Sequence, residues 1–222
     1  FYSFNDTVSC LHSIPFDKQV HQRTMDSISK TIPLYVFKHI AKQSPDPQII
    51  LQMDIEEGIK RIAQQQTPFA TDYDFHHTLV SLFRQLNDGH TMYYAPACYT
   101  NMFFKQPFNL ISHDDSTLKQ QVIRIASVNE ALARYLQEEY GVDDVKQYVG
   151  DRIVSIDDQP ALESLVQFSN TSIGGYKDIG TRFNMAVGGL FMSRQQNRNE
   201  IPVKGTMTYV LERKNDKTLV TV

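Results

Sequence analysis

The chain has 222 residues, of which 41% are hydrophobic and 21% are charged, and its formal net charge is −3. This composition is that of a folded globular protein with one large or two small domains, and it excludes a disordered chain. The balance of 22 basic and 25 acidic residues excludes the strongly basic surface of a nucleic-acid-binding protein. No apolar stretch approaches the ~20 residues that span a bilayer, so we expect no membrane-spanning segment.

Two short amphipathic segments lie near the beginning of the chain. Residues 17–30 predict a first helix, with Val20, Met25 and Ile28 as candidates for burial. Residues 33–43 predict a second helix. Its apolar face consists of Leu34, Phe37, Ile40 and Ala41. The segment Ser44-Pro45-Asp46-Pro47 then breaks the helical pattern.

Two further helices are predicted before residue 90. Asp54 is expected to cap the first of them, because a carboxylate at this position accepts free backbone N–H groups. The second begins at Thr71 or Asp72 and ends in Asn87-Asp88-Gly89, where Gly89 suits the left-handed position after a helix. The buried faces of the two helices are predicted to be Ile55, Ile59 and Ile62, and Phe75, Leu79, Leu82, Phe83 and Leu86.

After Gly89 the composition favours strands. Residues 90–95, 101–111 and 121–127 are rich in aromatic and β-branched residues, which is typical of β-strands. A helix, a strand–turn–helix unit and a hairpin are predicted over residues 129–140, 148–168 and 206–222. The glycine pairs Gly174-Gly175 and Gly188-Gly189 are interpreted as flexible loops. We therefore predict an α+β fold, with a helical first half and a β-rich second half.

Cysteines and glycosylation patterns bear on the compartment. Cys10 and Cys98 form no CxxC pair, which argues against a structural zinc site. We expect a disulfide between them, the alternative being two unrelated buried thiols. Asn5-Asp6-Thr7 and Asn170-Thr171-Ser172 fit the N-glycosylation acceptor pattern. Together these features predict a secreted or cell-surface protein.

The sequence contains none of the common metal, nucleotide or nucleophile-elbow motifs: HExxH, GxGxxG, a P-loop and GxSxG are all missing. We expect no metal or organic cofactor.

His76 and His77 are expected to be solvent-facing or half-buried in their helix. His90 differs, because it follows a helix end where a fixed backbone can present a general base to a cleft. The other histidines show no pattern that suggests a partner: His12, His21, His39 and His113.

Asp88-Gly89-His90-Thr91 resembles the DGH[TF] signature of the C-terminal-processing and tricorn-like serine peptidases. The similarity is greatest to the branch that includes chlamydial protease-like activity factor. Further segments resemble this branch in the same order along the chain. They are residues 9–16, 73–76, 94–96, 98–99, 106–108, 150–153, 156–157 and 182–184.

The resemblance implies a Ser/His/Glu site in which His90 is the general base. It also implies that the serine and the glutamate lie in a later C-terminal domain. We therefore expect the N-terminal portion of a secreted serine endopeptidase, inactive alone because a base without a nucleophile performs no acyl transfer. The implied domains are a helical one over residues 1–115, which carries the DGHT motif, and a PDZ-like one over residues 116–222. The latter either binds an extended peptide at a sheet edge or only shields the active site.

The chain begins at Phe1 and ends at Val222 within a predicted strand, so we expect a processed or trimmed piece of a longer protein. The expected partners are the C-terminal catalytic fragment or domain of the same precursor and a protein or peptide substrate. A homo-oligomer is a further option. Two alternatives use the same scaffold without catalysis: a ligand- or peptide-binding protein, as in related retinoid carriers, and a cell-surface glycoprotein.

Overall fold

A computed structural model describes residues 2–43, 52–196 and 198–222. The chain forms two compact units. The first comprises Phe1–Met102, Gly174–Asp178 and Gln195–Ile201, and the second comprises Phe103–Ile173, Ile179–Arg194 and Pro202–Val222. The predicted α+β fold is confirmed, while the domain limits 1–115 and 116–222 and the PDZ-like character stay predictions. In the described ranges, no helix has both the length and the apolar character that a membrane crossing requires.

The first unit is built from helices, most of which begin at a capping side chain. Asp17, Asp54 and Thr71 each accept backbone N–H hydrogen bonds at a helix N-terminus, which confirms the cap predicted for Asp54. Thr71 and Asp74 cap each other reciprocally. The helices are α1 (Phe4–Leu11), α2 (Lys18–Thr31), α3 (Lys38–Lys42), α4 (Ile55–Ala63) and α5 (Asp72–Arg84).

The core of this unit forms where α5 packs with the other helices. The predicted apolar stripe of α5 is confirmed, because all five of its residues are buried: Phe75, Leu79, Leu82, Phe83 and Leu86. Ile55 and Ile59 of α4 and Met25 of α2 belong to the same cluster. Burial of side chains of this size contributes roughly 1.5–3 kcal/mol each, which makes the cluster the main source of stability for this unit.

The helix predicted over residues 33–43 is wrong in extent. The chain instead forms a 3₁₀ turn (Ile32–Leu34) and the short helix α3, separated by Tyr35 in an extended conformation. Pro33 favours this early turn because it suits the first helical positions. The change of direction leaves Leu34 77% exposed, and Phe37 and Ile40 are exposed as well. The predicted break at residues 44–47 lies outside the described residues.

The end of α5 also differs from the prediction. The left-handed residue is Asn87, with φ of 50°, and Gly89 does not adopt a positive φ. Asn tolerates this conformation because its short polar side chain bonds locally, here to the Gln85 carbonyl at 3.0 Å. Residues 90–95 were predicted as a strand and form none, since no ladder of hydrogen bonds pairs them within the described ranges.

The second unit is an antiparallel sheet with helices. Its strand order is β2-β3-β4-β7-β8, and the short β5 pairs with β4. Two further strands, β1 and β6, pair separately. The strands are β1 (Phe103–Lys105), β2 (Phe108–Asp115), β3 (Gln120–Val128), β4 (Arg152–Ile156), β5 (Gln159–Pro160), β6 (Ser193–Gln195), β7 (Tyr209–Glu212) and β8 (Leu219–Thr221).

Three helices complete this unit: α6 (Glu130–Tyr140), α7 (Ala161–Thr171) and α8 (Ile179–Met185). A π-helical turn, Ala186–Leu190, follows α8 and contains Gly189 at φ of 134°. The predicted end of α6 is confirmed, because Gly141 caps it in the left-handed conformation. The terminal hairpin is confirmed as β7 and β8. The segment 101–111 divides into β1 and β2 at Pro107, which has no N–H to donate to a ladder.

Candidate functional site

The turn that follows α5 is organised around the Asp88 carboxylate. Asp88 Oδ1 accepts a hydrogen bond from the backbone N–H of His90 at 2.9 Å. Asp88 Oδ2 accepts hydrogen bonds from the Thr91 hydroxyl at 3.0 Å and from the Tyr35 hydroxyl at 3.0 Å. These three donors fix the backbone of the DGHT segment, since they hold the carboxylate from both oxygens.

The same contacts determine the charge of Asp88. Partial burial acts to raise its pKa, but the hydrogen bonds from His90, Thr91 and Tyr35 outweigh burial and lower the pKa below the ordinary 3.8. Burial, followed by the hydrogen bond to this carboxylate, raises the pKa of Tyr35 to about 12. At neutral pH, Asp88 is therefore an anion and Tyr35 is a neutral donor.

His90 lies directly beside this anion. Its Nδ1 atom is 3.4 Å from Asp88 Oδ1, and its side chain is 98% exposed. In catalytic triads, a carboxylate next to an imidazole orients the ring of the base. The pair Asp88 and His90 therefore has the arrangement of a carboxylate-oriented base, with the ring open to an incoming group.

A groove of about 580 Å³ opens in front of this pair, within the first unit. It is lined by aromatic, apolar and main-chain groups together with Asp88, His90 and Lys177. Among the described lining residues there is no serine or cysteine, so the groove itself holds no nucleophile for His90 to activate. The lining residues are Tyr35, Phe37, Ile40, Ala41, Asn87, Asp88, Gly89, His90, Gly175, Tyr176 and Lys177.

The far wall of the groove depends on close glycine packing, which corrects the interpretation of Gly174-Gly175 as a flexible loop. A Cβ atom on Gly174 would lie 2.7 Å from the Arg84 carbonyl oxygen, closer than atoms pack. Gly175 adopts φ of 92°. A Cβ atom on Gly89 would lie 3.2 Å from the carbonyl oxygen of Gly175. The DGHT turn and residues 174–175 therefore approach each other through main-chain atoms.

The predicted Cys10–Cys98 disulfide is wrong. Both cysteines are free thiols with exposed side chains, one in α1 and the other in the 3₁₀ turn Ala97–Tyr99. A disulfide requires two cysteines whose Cα atoms lie within about 7 Å and whose side chains point at each other.

Asn5 and Asn170 are exposed, and Asn170 Oδ1 accepts a hydrogen bond from Arg182 at 3.2 Å. Glycosylation at these asparagines stays a prediction.

Two histidines that the sequence did not single out are deeply buried. His21 of α2 is 2% exposed and His76 of α5 is 6% exposed, so the expectation of a half-buried His76 is wrong. The ligand atoms of His21, Asp72 and His76 lie within 4.8 Å of one another. The signal available in the sequence was the spacing of Asp72 and His76, four residues apart on one helix face. Nothing in the sequence indicated the contribution of His21.

Solved structures of CPAF, the chlamydial protease-like activity factor, are similar to this chain. A serine-to-alanine variant gives a TM-score of 0.57 at 14% identity. Mature CPAF complexed with lactacystin gives 0.53 at 13% identity, and mature CPAF gives 0.50 at 14% identity. Each match covers 90% of this chain and 32% or 33% of the CPAF chain, so the chain spans about a third of the CPAF length.

The likeness establishes a CPAF-like fold. At this level of identity it shows the fold alone. No protein-family model matches the chain, and no curated protein matches it. Membership in the wider C-terminal-processing and tricorn-like peptidase family stays a prediction from the motifs.

The lowered pKa of Asp88 predicts an acid-dependent loss of stability. A carboxyl group whose pKa is lower in the folded state stabilises the fold above its unfolded pKa of ~3.9, and this contribution disappears as the pH falls through the folded pKa. We expect Asp88→Asn to lower the free energy of unfolding by about 1 kcal/mol at pH 7, and by less below pH ~4. Urea unfolding at several pH values measures this. Asp143→Asn, at an exposed position, is the control, and an equal effect of both variants at all pH values would contradict the prediction.

Proposed function

We propose that this chain supplies the general base of a serine endopeptidase, and that His90 is that base. The observation that carries the proposal is the Asp88–His90 pair, in which an ionised carboxylate lies 3.4 Å from an accessible imidazole beside a groove. The DGHT motif and the CPAF-like fold support the same assignment. In this role His90 removes the proton from a serine hydroxyl as that oxygen attacks a peptide carbonyl.

The nucleophile is proposed to come from a C-terminal fragment or domain of the same precursor, together with a glutamate and the oxyanion donors. Two observations support this division. The groove around His90 offers no serine among its described lining residues, and the CPAF chains are about three times as long as the matched region. The residues described here then contribute only part of a composite active site. Secretion belongs to the same proposal and rests on the two glycosylation patterns alone.

A peptide substrate suits the groove beside His90. Phe37, Ile40 and Tyr176 present exposed apolar surface along it, and the Gly89 and Gly175 backbones form part of its lining. Apolar side chains of a peptide would bury this surface, and exposed main-chain groups would accept or donate hydrogen bonds to an extended backbone. The groove is therefore proposed to position substrate, while the reacting serine arrives from the missing part.

The test uses the full-length protein and its His90→Ala variant. We expect peptide hydrolysis that a fluorophosphonate blocks, and a decrease in kcat of at least about 100-fold in His90→Ala, because a positioned base contributes about 10²- to 10⁴-fold. His113→Ala is the matched control, since His113 is an exposed histidine on β2 in the second unit. Activity of His90→Ala within twofold of the wild type would overturn the assignment.

A non-catalytic peptide-binding role is the second candidate, and the near-complete exposure of His90 favours it. A base in a finished active site is usually held by several contacts, whereas His90 has Asp88 on one side and solvent on the others. In this case the full-length protein would bind peptides without cleaving them, and fluorophosphonate would label no serine. Binding would then depend on Phe37 and Tyr176 and would be unchanged in His90→Ala.

A further inference from the structure

A buried cluster outside the groove is built like a metal site. It consists of His21 on α2, together with Asp72 and His76 on α5. Asp72 and His76 are four residues apart, so a helix places both on the same face. His21 Nε2 lies 2.9 Å from Asp72 Oδ1, and His76 Nε2 lies 3.5 Å from the same oxygen. The three candidate ligand atoms thus converge on one point between two helices.

These distances match the spacing that a tetrahedral ion imposes. With Zn–N and Zn–O bonds of ~2.0–2.1 Å, neighbouring ligand atoms of a tetrahedron are about 3.3 Å apart. The observed 2.9 and 3.5 Å bracket this value. Two imidazoles and one carboxylate are also a donor set that zinc uses in proteins, with a water molecule in the fourth position.

The outer hydrogen bonds orient each donor toward the common point. The Nδ1 atom of His21 contacts the Asp17 backbone carbonyl within α2, and the Nδ1 atom of His76 lies 2.6 Å from the Tyr93 hydroxyl. Asp72 Oδ2 accepts a hydrogen bond from the Tyr99 hydroxyl at 2.6 Å, which leaves Oδ1 facing the imidazoles. Metal-binding histidines commonly have such a partner on the second ring nitrogen, because it fixes the tautomer and the ring orientation.

The hydrogen-bond partner of His21 Nδ1 determines which ring nitrogen faces the cluster. The Asp17 carbonyl only accepts hydrogen bonds, so Nδ1 of His21 must carry the proton. In a neutral ring Nε2 then has no hydrogen, and its lone pair faces a lone pair of Asp72 Oδ1 at 2.9 Å. A metal ion between the two atoms would accept both lone pairs.

Aromatic rings hold both imidazoles in place. His21 is sandwiched between aromatic rings, with Phe16 stacked at 4.2 Å and Phe75 edge-on at 4.2 Å between centroids. His76 stacks on Tyr93. The Tyr93 contact on Nδ1 leaves His76 Nε2 facing Asp72 Oδ1 at 3.5 Å, in position to act as a ligand. A metal ion would use all three donors at once.

We propose that His21, Asp72 and His76 bind one Zn²⁺ ion, which links α2 to α5. The ion would join two helices of the first unit, independently of whether His90 acts as a base. Tyr99 is assigned as the positioning residue of the carboxylate, through its hydrogen bond to Asp72 Oδ2.

The test titrates chelator-treated full-length protein with ZnCl₂ and measures binding by calorimetry and thermal unfolding. We expect one equivalent of zinc and a higher Tm in the wild type and in the control variant His113→Gln. Asp72→Asn should lose stoichiometric binding, and Tyr99→Phe should bind about 10- to 100-fold more weakly. Equal zinc affinity of the wild type and Asp72→Asn, or no binding by the wild type, would overturn the proposal.

A second measurement applies if Asp72→Asn fails to fold. Co²⁺ added to the chelator-treated wild type should produce the intense visible bands of a tetrahedral ion, and one equivalent of Zn²⁺ should displace them. A weak octahedral spectrum, or bands of equal intensity in His21→Gln, would contradict the site. Nuclear magnetic resonance of zinc-free protein that finds His21 protonated on both nitrogens, with no change when zinc is added, would identify the extra proton as the true occupant.

Discussion

Leu79→Ala is expected to lower the free energy of unfolding of the first unit by about 3–4 kcal/mol. Leu79 is 0% exposed, and it lies in the middle of the stripe that α5 buries. Its removal loses the transfer free energy of three carbon atoms and leaves a cavity that the packed helices fill only in part, for which measured costs are about 2–5 kcal/mol. Chemical denaturation followed by circular dichroism measures the change.

Leu34→Ala is the matched control for this variant. It removes the same atoms from a side chain that is 77% exposed, so we expect a change within about 0.5 kcal/mol. The comparison also tests whether Leu34 is exposed, because the helix predicted over residues 33–43 places Leu34 on a buried face. Similar losses for both variants would mean that Leu34 is packed and that the described conformation of the 32–34 turn is wrong.

Arg213→Met is expected to destabilise the second unit by about 3 kcal/mol. Asp151 is 0% exposed, and its Oδ1 accepts a hydrogen bond from the Lys214 backbone at 2.9 Å. Its Oδ2 lies 3.2 Å from Arg213 Nε as an ion pair and accepts no hydrogen bond from the described residues. Removing the guanidinium therefore leaves a buried carboxylate without its countercharge, which costs about 3–5 kcal/mol when both partners are buried.

The lower end of this range applies because Arg213 retains 23% of its side-chain exposure. Methionine keeps much of the side-chain stem, so the loss reports on the guanidinium, which also donates a hydrogen bond to the Gln147 carbonyl at 3.3 Å and lies over the Tyr148 ring. Arg134→Met, on the exposed face of α6, controls for loss of a positive charge from this unit. A midpoint of denaturation for Arg213→Met equal to that of Arg134→Met would show that Asp151 is compensated by other groups.

Elements whose determinants are local in sequence could be predicted. Three features lie as expected: the Asp54 cap, the start of α5 with its apolar stripe, and the end of α6 at residue 140. Each is determined within a few residues of its own position. The hairpin at the end of the chain belongs to the same class, because a polar turn joins two strands that pair with each other.

Features that depend on distant contacts could not be predicted. The DGHT motif located His90 in the sequence, but only the fold brings residues 174–177 to the same groove. His21 lies about fifty residues before Asp72, and no pattern in either segment links them. The strand expected over residues 90–95 failed for the same reason, since a strand requires a partner and propensity alone supplies none.

The first unit has a consequence for how the protein folds during synthesis. Its groove needs Gly89 on one side and Gly175 on the other, and the Arg84–Glu200 ion pair closes the same unit from still later in the chain. The ribosome must therefore make the greater part of the second unit before the helical unit acquires its last segments. Contacts of such long sequence separation form slowly, because loop closure is paid for before they stabilise the chain. The nascent helical unit thus remains unfinished, with one side of its groove not yet made, until residues 174–201 have left the exit tunnel.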